Sequence, residues 1–154
     1  MPIPAYPAKN NSSPLASMKA DHIALRVPDF EASRDWFVEK FDFRVIHQWP
    51  FGDLKLAYLA PATDDDFLIE LIGGTLETPR NKYDDLGASL GEGGSHHICF
   101  AVSDTQKTLD ELRSRGVTVV AEPFVVEDIN RLLAFVSDPW DNLYELSQEI
   151  KAVP

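Results

Sequence analysis

A single cysteine, Cys99, stands among 154 residues, so no disulfide can close within the chain. That excludes the cross-linked secreted scaffolds and fits a reducing compartment. Basic residues are also few: 14 Lys and Arg face 25 Asp and Glu, for a formal net charge of −11. A surface of that sign repels phosphate backbones, so no nucleic-acid partner is expected. No apolar run approaches the roughly 18 residues of a membrane span, so no membrane partner is expected either. The opening MPIPAYPAKNNSSPLASMKA lacks the charged-then-apolar order of a secretory signal, and a cytoplasmic location is the expectation.

What is present is a soluble globular composition, 44% hydrophobic and 25% charged, long enough for one domain with its own core. Residues 1–20, with four prolines and a small polar cluster, read as an N-terminal extension. If ordered, it is expected to rest on something, such as a partner subunit. A tail is expected at 149–154.

Between them the chain repeats. DHIALRV alternates as a strand, with Ile23, Leu25 and Val27 on one face and His22, Ala24 and Arg26 on the other. PDFEASRDWFVEKF then has helical spacing, opened by Pro28 and Asp29. FRVIHQW, DLKLAYLA and FLIELI follow as strands. Residues 74–94 read as a linker with room for a short helix near Tyr83–Leu90. After it come a strand in SHHICFAV, a helix in TQKTLDELRSRG closed by Gly116, and strands in VTVVAEPFVVE, RLLAFVS and NLYELSQ. Each half reads βαβββ. The expected domain, 21–148, is two modules, 21–73 and 95–148.

Register tests the repeat. An offset of 75 puts His22 on His97, Ile23 on Ile98, Leu25 on Phe100, Val27 on Val102 and Asp29 on Asp104. The same offset puts Glu70 on Glu145, so His and Glu stand 48 apart in both halves. Of the two adjacent histidines, the register selects His97. His96 is expected on the opposite face, near solvent at the strand end. Each His shares its face with small residues, which leaves room for a cavity. A carboxylate among aliphatic side chains is costly unless it is paired or bound to a cation. Two imidazoles and two carboxylates, His22, Glu70, His97 and Glu145, supply such a cation's ligands. Nitrogen and oxygen donors without thiolate suit one divalent Ni, Co, Zn, Mn or Fe ion. Four protein ligands leave positions open on an octahedral ion, which points to catalysis. Cys99 shares the face of His97, as a soft extra ligand or a small buried filler.

At DHIALRVPDFEAS, FLIELIGG, HHICFAVSD and DPWDNLYEL the chain resembles the vicinal oxygen chelate superfamily, over about Asp21 to Gln148. This superfamily contains glyoxalase I, methylmalonyl-CoA epimerase, extradiol dioxygenases and the fosfomycin- and bleomycin-resistance proteins. The resemblance implies an α+β fold, two βαβββ modules whose mixed sheets form an open, cupped barrel around one metal. It implies the same four ligands by position. Glu70 favours the glyoxalase and epimerase branch, where four protein ligands are usual. Arg26 matches a glyoxalase arginine for the glutathione carboxylate; it also reads as a barrel-end residue paired with an acid. Gly74 departs from the family, where glyoxalase I has a glutathione-binding Asn. GEGGSHHI is closer to the epimerases.

The implied activity is a glyoxalase I-like lyase or isomerase. A metal-chelated enediolate would form by proton transfer at carbon, with Glu145 and Glu70 as the candidate bases. The implied substrate is a small hemithioacetal, with a thiol such as glutathione as co-substrate, and the implied assembly is a homodimer. Three alternatives stay open. One is epimerisation of an acyl-CoA. Another is ring cleavage at Fe²⁺ with His47 as acid, against a plain partly buried His47 near Trp49. The third is drug binding without turnover on a platform of Trp49, Phe51, Phe124 and Trp140, against core and dimer packing of those rings.

Overall fold

The computed structural model describes residues 6–91 and 93–150. Residues 1–5 of the extension and 151–154 of the tail lie outside the described residues. Two compact units divide between Glu77 and Thr78.

The first unit begins with an exposed, turn-rich extension up to Ala20, carrying Tyr6, Leu15 and Met18 on its surface. Strand β1 (His22–Val27) leads into helix α1 (Phe30–Phe41), followed by β2 (Arg44–Phe51), β3 (Leu54–Ala60) and β4 (Leu68–Gly73). The sheet order is β1-β4-β3-β2, with β1 parallel to β4 and the other neighbours antiparallel. Asp29 starts α1 because its extended backbone lets the carboxylate accept from Ala32 N–H. Phe30, Ser33, Trp36 and Phe37 form its buried stripe. That stripe covers the sheet face of Val27, Ile69 and Leu71, all fully buried. Gly73 is required here: a Cβ on it would fall 2.7 Å from Phe30 Cα.

The second unit repeats the plan after a short helix, α2 (Leu86–Ser89). Strand β5 (His97–Ala101), helix α3 (Thr105–Ser114), β6 (Thr118–Val126), β7 (Arg131–Ser137) and β8 (Leu143–Glu149) follow, with a 3₁₀ turn at Glu127–Ile129 before β7. The sheet order is β5-β8-β7-β6, again with one parallel pair, β5 and β8. Asp104 caps α3 through Lys107 N–H. Gly116, at φ +80°, ends it: its N–H reaches Arg113 O and the next N–H reaches Leu112 O. Leu109 and Leu112 are buried on the sheet side.

The fold class is therefore α+β, two mixed four-stranded sheets each with one covering helix. The second unit starts at Thr78, inside the expected linker. The β6–β7 register shifts between Val119 and Ala121 and again between Ala121 and Phe124. Such bulges twist a strand locally, and alternation alone did not announce them.

Candidate metal centre

In the first unit the parallel ladder sets Ala24 beside Glu70, and the antiparallel ladder sets Tyr58 on the other side of it. Side chains alternate across a strand, so His22 and Glu70 share the face not covered by α1. His22 Nε2 lies 3.7 Å from Glu70 Oε2. The carboxylate is 14% exposed and the imidazole 34%. The Tyr58 ring stands 5.3 Å from the His22 ring. The other imidazole nitrogen, Nδ1, is 2.7 Å from Asp21 Oδ2.

The second unit reproduces this arrangement. Cys99 and Phe135 flank Glu145 in its ladders. His97 Nε2 lies 3.3 Å from Glu145 Oε2, with 13% and 32% of the acid and imidazole exposed. The Phe135 ring stands edge-on to His97 at 5.3 Å. Among the described residues, the basic group facing each carboxylate is an imidazole, not an Arg or Lys.

Besides Tyr58 against Phe135, the units differ at two further matched positions. Where the first has Ala24, the second has Cys99, whose Sγ–H donates to Glu145 Oε1 at 3.1 Å. Cys99 is exposed, not the buried filler the sequence suggested. Its thiol is nevertheless pushed up to about 12, first by desolvation against its neighbours, then by the hydrogen bond to Glu145 and that group's charge. A protonated thiol at this place is a hydrogen-bond donor to the carboxylate.

The second difference corrects the reading of His96. It is part-buried, not a solvated strand end. Its Nε2 is 2.7 Å from the Oγ of buried Ser89, and its Nδ1 is 2.9 Å from His97 Nδ1. Arg80 donates to the carbonyls of Ser95 and His96 at 3.0 Å each and fixes the backbone there. Desolvation, followed by the charges of His97 and Arg80, lowers the His96 pKa. The sequence held one usable signal: the 75-residue offset, extended one position back, places His96 on Asp21, and both touch a histidine Nδ1.

The remaining candidates lie as follows. Arg26 donates to the carbonyls of Ile72 and Thr75, at the end of β4. Its structural partners are backbone carbonyls, not the acid the sequence reading named. His47 stacks on Trp49 at 5.4 Å, and Trp49 lies 4.9 Å from Tyr58. Phe124 stacks on Phe135 at 6.3 Å, while Phe51 is exposed. In the turn before β8, buried Asp138 accepts from the N–H groups of Trp140 and Asn142, the Asn142 amide and the Tyr144 hydroxyl. Burial raises its pKa and these bonds oppose the rise.

Among the described residues no three His, Cys, Asp or Glu side chains form one metal-holding group. The donor chemistry nevertheless fits a divalent cation. Each unit points one imidazole nitrogen and one carboxylate oxygen at each other, with the second imidazole nitrogen already engaged.

The family model described as Glyoxalase/Bleomycin resistance protein/Dioxygenase superfamily matches residues 19–146. A protein of Synechocystis named probable lactoylglutathione lyase is 30% identical over 130 residues, covering 82% of this chain and 92% of its own length. Lactoylglutathione lyase GLX1 of Arabidopsis thaliana is 28% identical over 131 residues; the chain spans 43% of that longer protein. In three dimensions the glyoxalase family protein from Enterococcus faecalis is similar at a TM-score of 0.67 and 19% identity, over 82% of this chain and 94% of that one. At that identity the likeness establishes the fold.

Proposed function

This chain belongs to the Glyoxalase/Bleomycin resistance protein/Dioxygenase superfamily, and from that premise we propose that it is a glyoxalase I-like lyase acting on a hemithioacetal. It is an enzyme of the vicinal oxygen chelate type. The observation that carries the proposal is the duplicated His–Glu pair, with Nε2 facing Oε2 in both units. The residues that would hold a divalent transition metal are His22, Glu70, His97 and Glu145. Bound there, the ion would supply Lewis-acid polarisation of a substrate's adjacent oxygens.

The chain's own residues perform the rest. Glu145 is the base: a carboxylate removes the proton from the carbon bearing oxygen and sulfur and returns it to the neighbouring carbon. The adduct isomerises to a 2-hydroxy thioester, and no oxidant or reductant is consumed. Glu145 has two differently partnered oxygens, Oε1 accepting from the Cys99 thiol and Oε2 facing His97. Glu70 has Ala24 where Glu145 has Cys99, so the two acids are chemically unequal bases. The rings of Tyr58 and Phe135 stand beside the imidazoles and favour exclusion of water. Arg26 is the candidate for a substrate carboxylate, although two of its N–H groups are held by carbonyls.

The test is thioester formation from methylglyoxal and glutathione by metal-loaded protein, followed in the ultraviolet. Absence of product with every one of Ni²⁺, Co²⁺, Zn²⁺, Mn²⁺ and Fe²⁺, and with other thiols, would sink the assignment.

A further inference from the structure

We propose that Ser89 and His96 form a hydrogen-bond relay that locks His97 in the tautomer with its proton on Nδ1. Nε2 is then the nitrogen left for the metal. The inference deepens the proposed function and rests on it for the role of the metal, while the tautomer itself is independent of that reading.

The direction of the relay follows from its far end. Ser89 Oγ lies 2.6 Å from the carbonyl oxygen of Leu86. A carbonyl has no proton to give, so the serine hydroxyl must donate to it. Ser89 Oγ is then an acceptor toward His96, 2.7 Å away, and His96 Nε2 must carry the proton. A neutral imidazole protonated at Nε2 presents a bare Nδ1. The 2.9 Å contact between the two Nδ1 atoms needs one proton, and His97 must supply it. Three contacts and one fixed carbonyl therefore put a proton on His97 Nδ1 and none on His96 Nδ1; His97 Nε2, 3.3 Å from Glu145 Oε2, is the atom a cation would engage.

The relay is built rather than incidental. Ser89 is 2% exposed and sits in α2, which Asp85 caps through Ala88 N–H at 2.8 Å. Arg80 donates to the carbonyls of Ser95 and His96 as well. Arg80, α2 and its cap Asp85 are thus the scaffold that aims His97. In the first unit the equivalent position is Asp21, an exposed carboxylate on His22 Nδ1. That proton is also held on Nδ1, by a different chemical means. Ser89 and His96 are positioning residues, since neither touches the reacting atoms. Loss of a group that holds a metal-ligating imidazole in place typically lowers metal affinity by about 10- to 100-fold.

Long-range ¹H–¹⁵N correlation spectra of the metal-free, full-length protein read the tautomers directly. The expected result is Nδ1–H for His97 and Nε2–H for His96. A His97 Nδ1 without a proton, or a His96 proton on Nδ1, would overturn the relay. Zn²⁺ competition against a chromophoric chelator supplies the second readout. His96→Leu removes the acceptor and is expected to weaken binding roughly 10- to 100-fold. His96→Asn places an amide oxygen near the Nδ1 position and is expected to recover most of it, whereas simple loss of packing would not be rescued. Ser89→Ala is expected to release the His96 tautomer preference. Equal affinity in His96→Leu and wild type, or no recovery in His96→Asn, would overturn the positioning role. Wild-type protein that takes up no Zn²⁺ yet shows both tautomers as assigned would refute the metal reading and leave the relay standing.

Discussion

Glu70 and Glu145 occupy one register position but meet different neighbours. Cys99 donates to Glu145, and the matched residue beside Glu70 is Ala24, which donates nothing from its side chain. Replacing either acid by Gln removes an anionic ligand. Each of Glu70→Gln and Glu145→Gln is expected to weaken Zn²⁺ binding by more than the roughly 10- to 100-fold that follows loss of a group holding a ligand in place. Turnover should separate them: Glu145→Gln is expected to abolish isomerisation, and Glu70→Gln to retain more activity at saturating metal. Calorimetric titration and steady-state kinetics on both variants check this; equal loss of turnover would remove the special role of Glu145. A second residue-scale prediction concerns Asp138, whose two oxygens accept from four donors. Asp138→Asn turns one carboxylate oxygen into an amide NH2 facing two donors, at a cost of about 1–3 kcal/mol in urea unfolding near pH 7. Its pKa is raised by burial above the usual 3.8, so between the two values the folded state binds the extra proton. That favourable contribution is complete below pH 3.8 and is lost as the pH rises through the folded pKa. The stability gap between wild type and variant should therefore narrow with rising pH across that window. A gap that widens with pH would show the opposite sign of shift.

At the scale of elements, each helix is fixed to its sheet by a cap and by a close contact. Asp29 and Asp104 open α1 and α3 at matched positions. The tightest approach is α1 on β4, where Gly73 has no room for a side chain against Phe30. Gly73→Ala must push the first turn of α1 off the sheet, and overpacking of this kind costs about 1–3 kcal/mol. Chemical denaturation measures it. Gly52 has nothing within 4 Å of the same virtual atom, and the penalty of Gly52→Ala is confined to its positive φ of 58°. A smaller loss for Gly73→Ala than for Gly52→Ala would argue against the close packing. The short helix α2 shows how an element too short for periodicity still matters, since its last residue, Ser89, reaches the imidazole of His96.

For the whole molecule the governing quantity is the number of ions per chain. Two His–Glu pairs that share one ion predict a single high-affinity divalent cation for each 154-residue chain; two independent half-sites predict two weak ones. Native mass spectrometry of protein loaded with substoichiometric and excess Zn²⁺ separates the two and reads oligomeric state in the same spectrum. The expected species is a homodimer with one ion per chain. The bound ion should also raise the unfolding temperature, because a ligand of the native state alone stabilises it by mass action. A chelator that leaves that temperature unchanged would contradict the single-site expectation. No helix among the described residues is long and apolar enough to cross a membrane.

Most of the element plan was legible because strand alternation and helix capping are local. His22, Ile23, Asp29 and Glu70 each returned 75 residues later in the same setting, and that recurrence fixed the faces on which His and Glu stand. Composition and charge likewise followed from the residues alone. Tertiary structure decided what those residues touch. Whether Cys99 fills a core or donates to Glu145, whether His96 meets water or Ser89, and whether Arg26 pairs with an acid or with two carbonyls all depend on strand neighbours and on a connector folded back from residue 80 onward. The physical reason is range: periodicity sets the side on which a group lies over a few residues, whereas a hydrogen bond of 2.7–3.1 Å is set by the ladder register and packing that bring distant segments together.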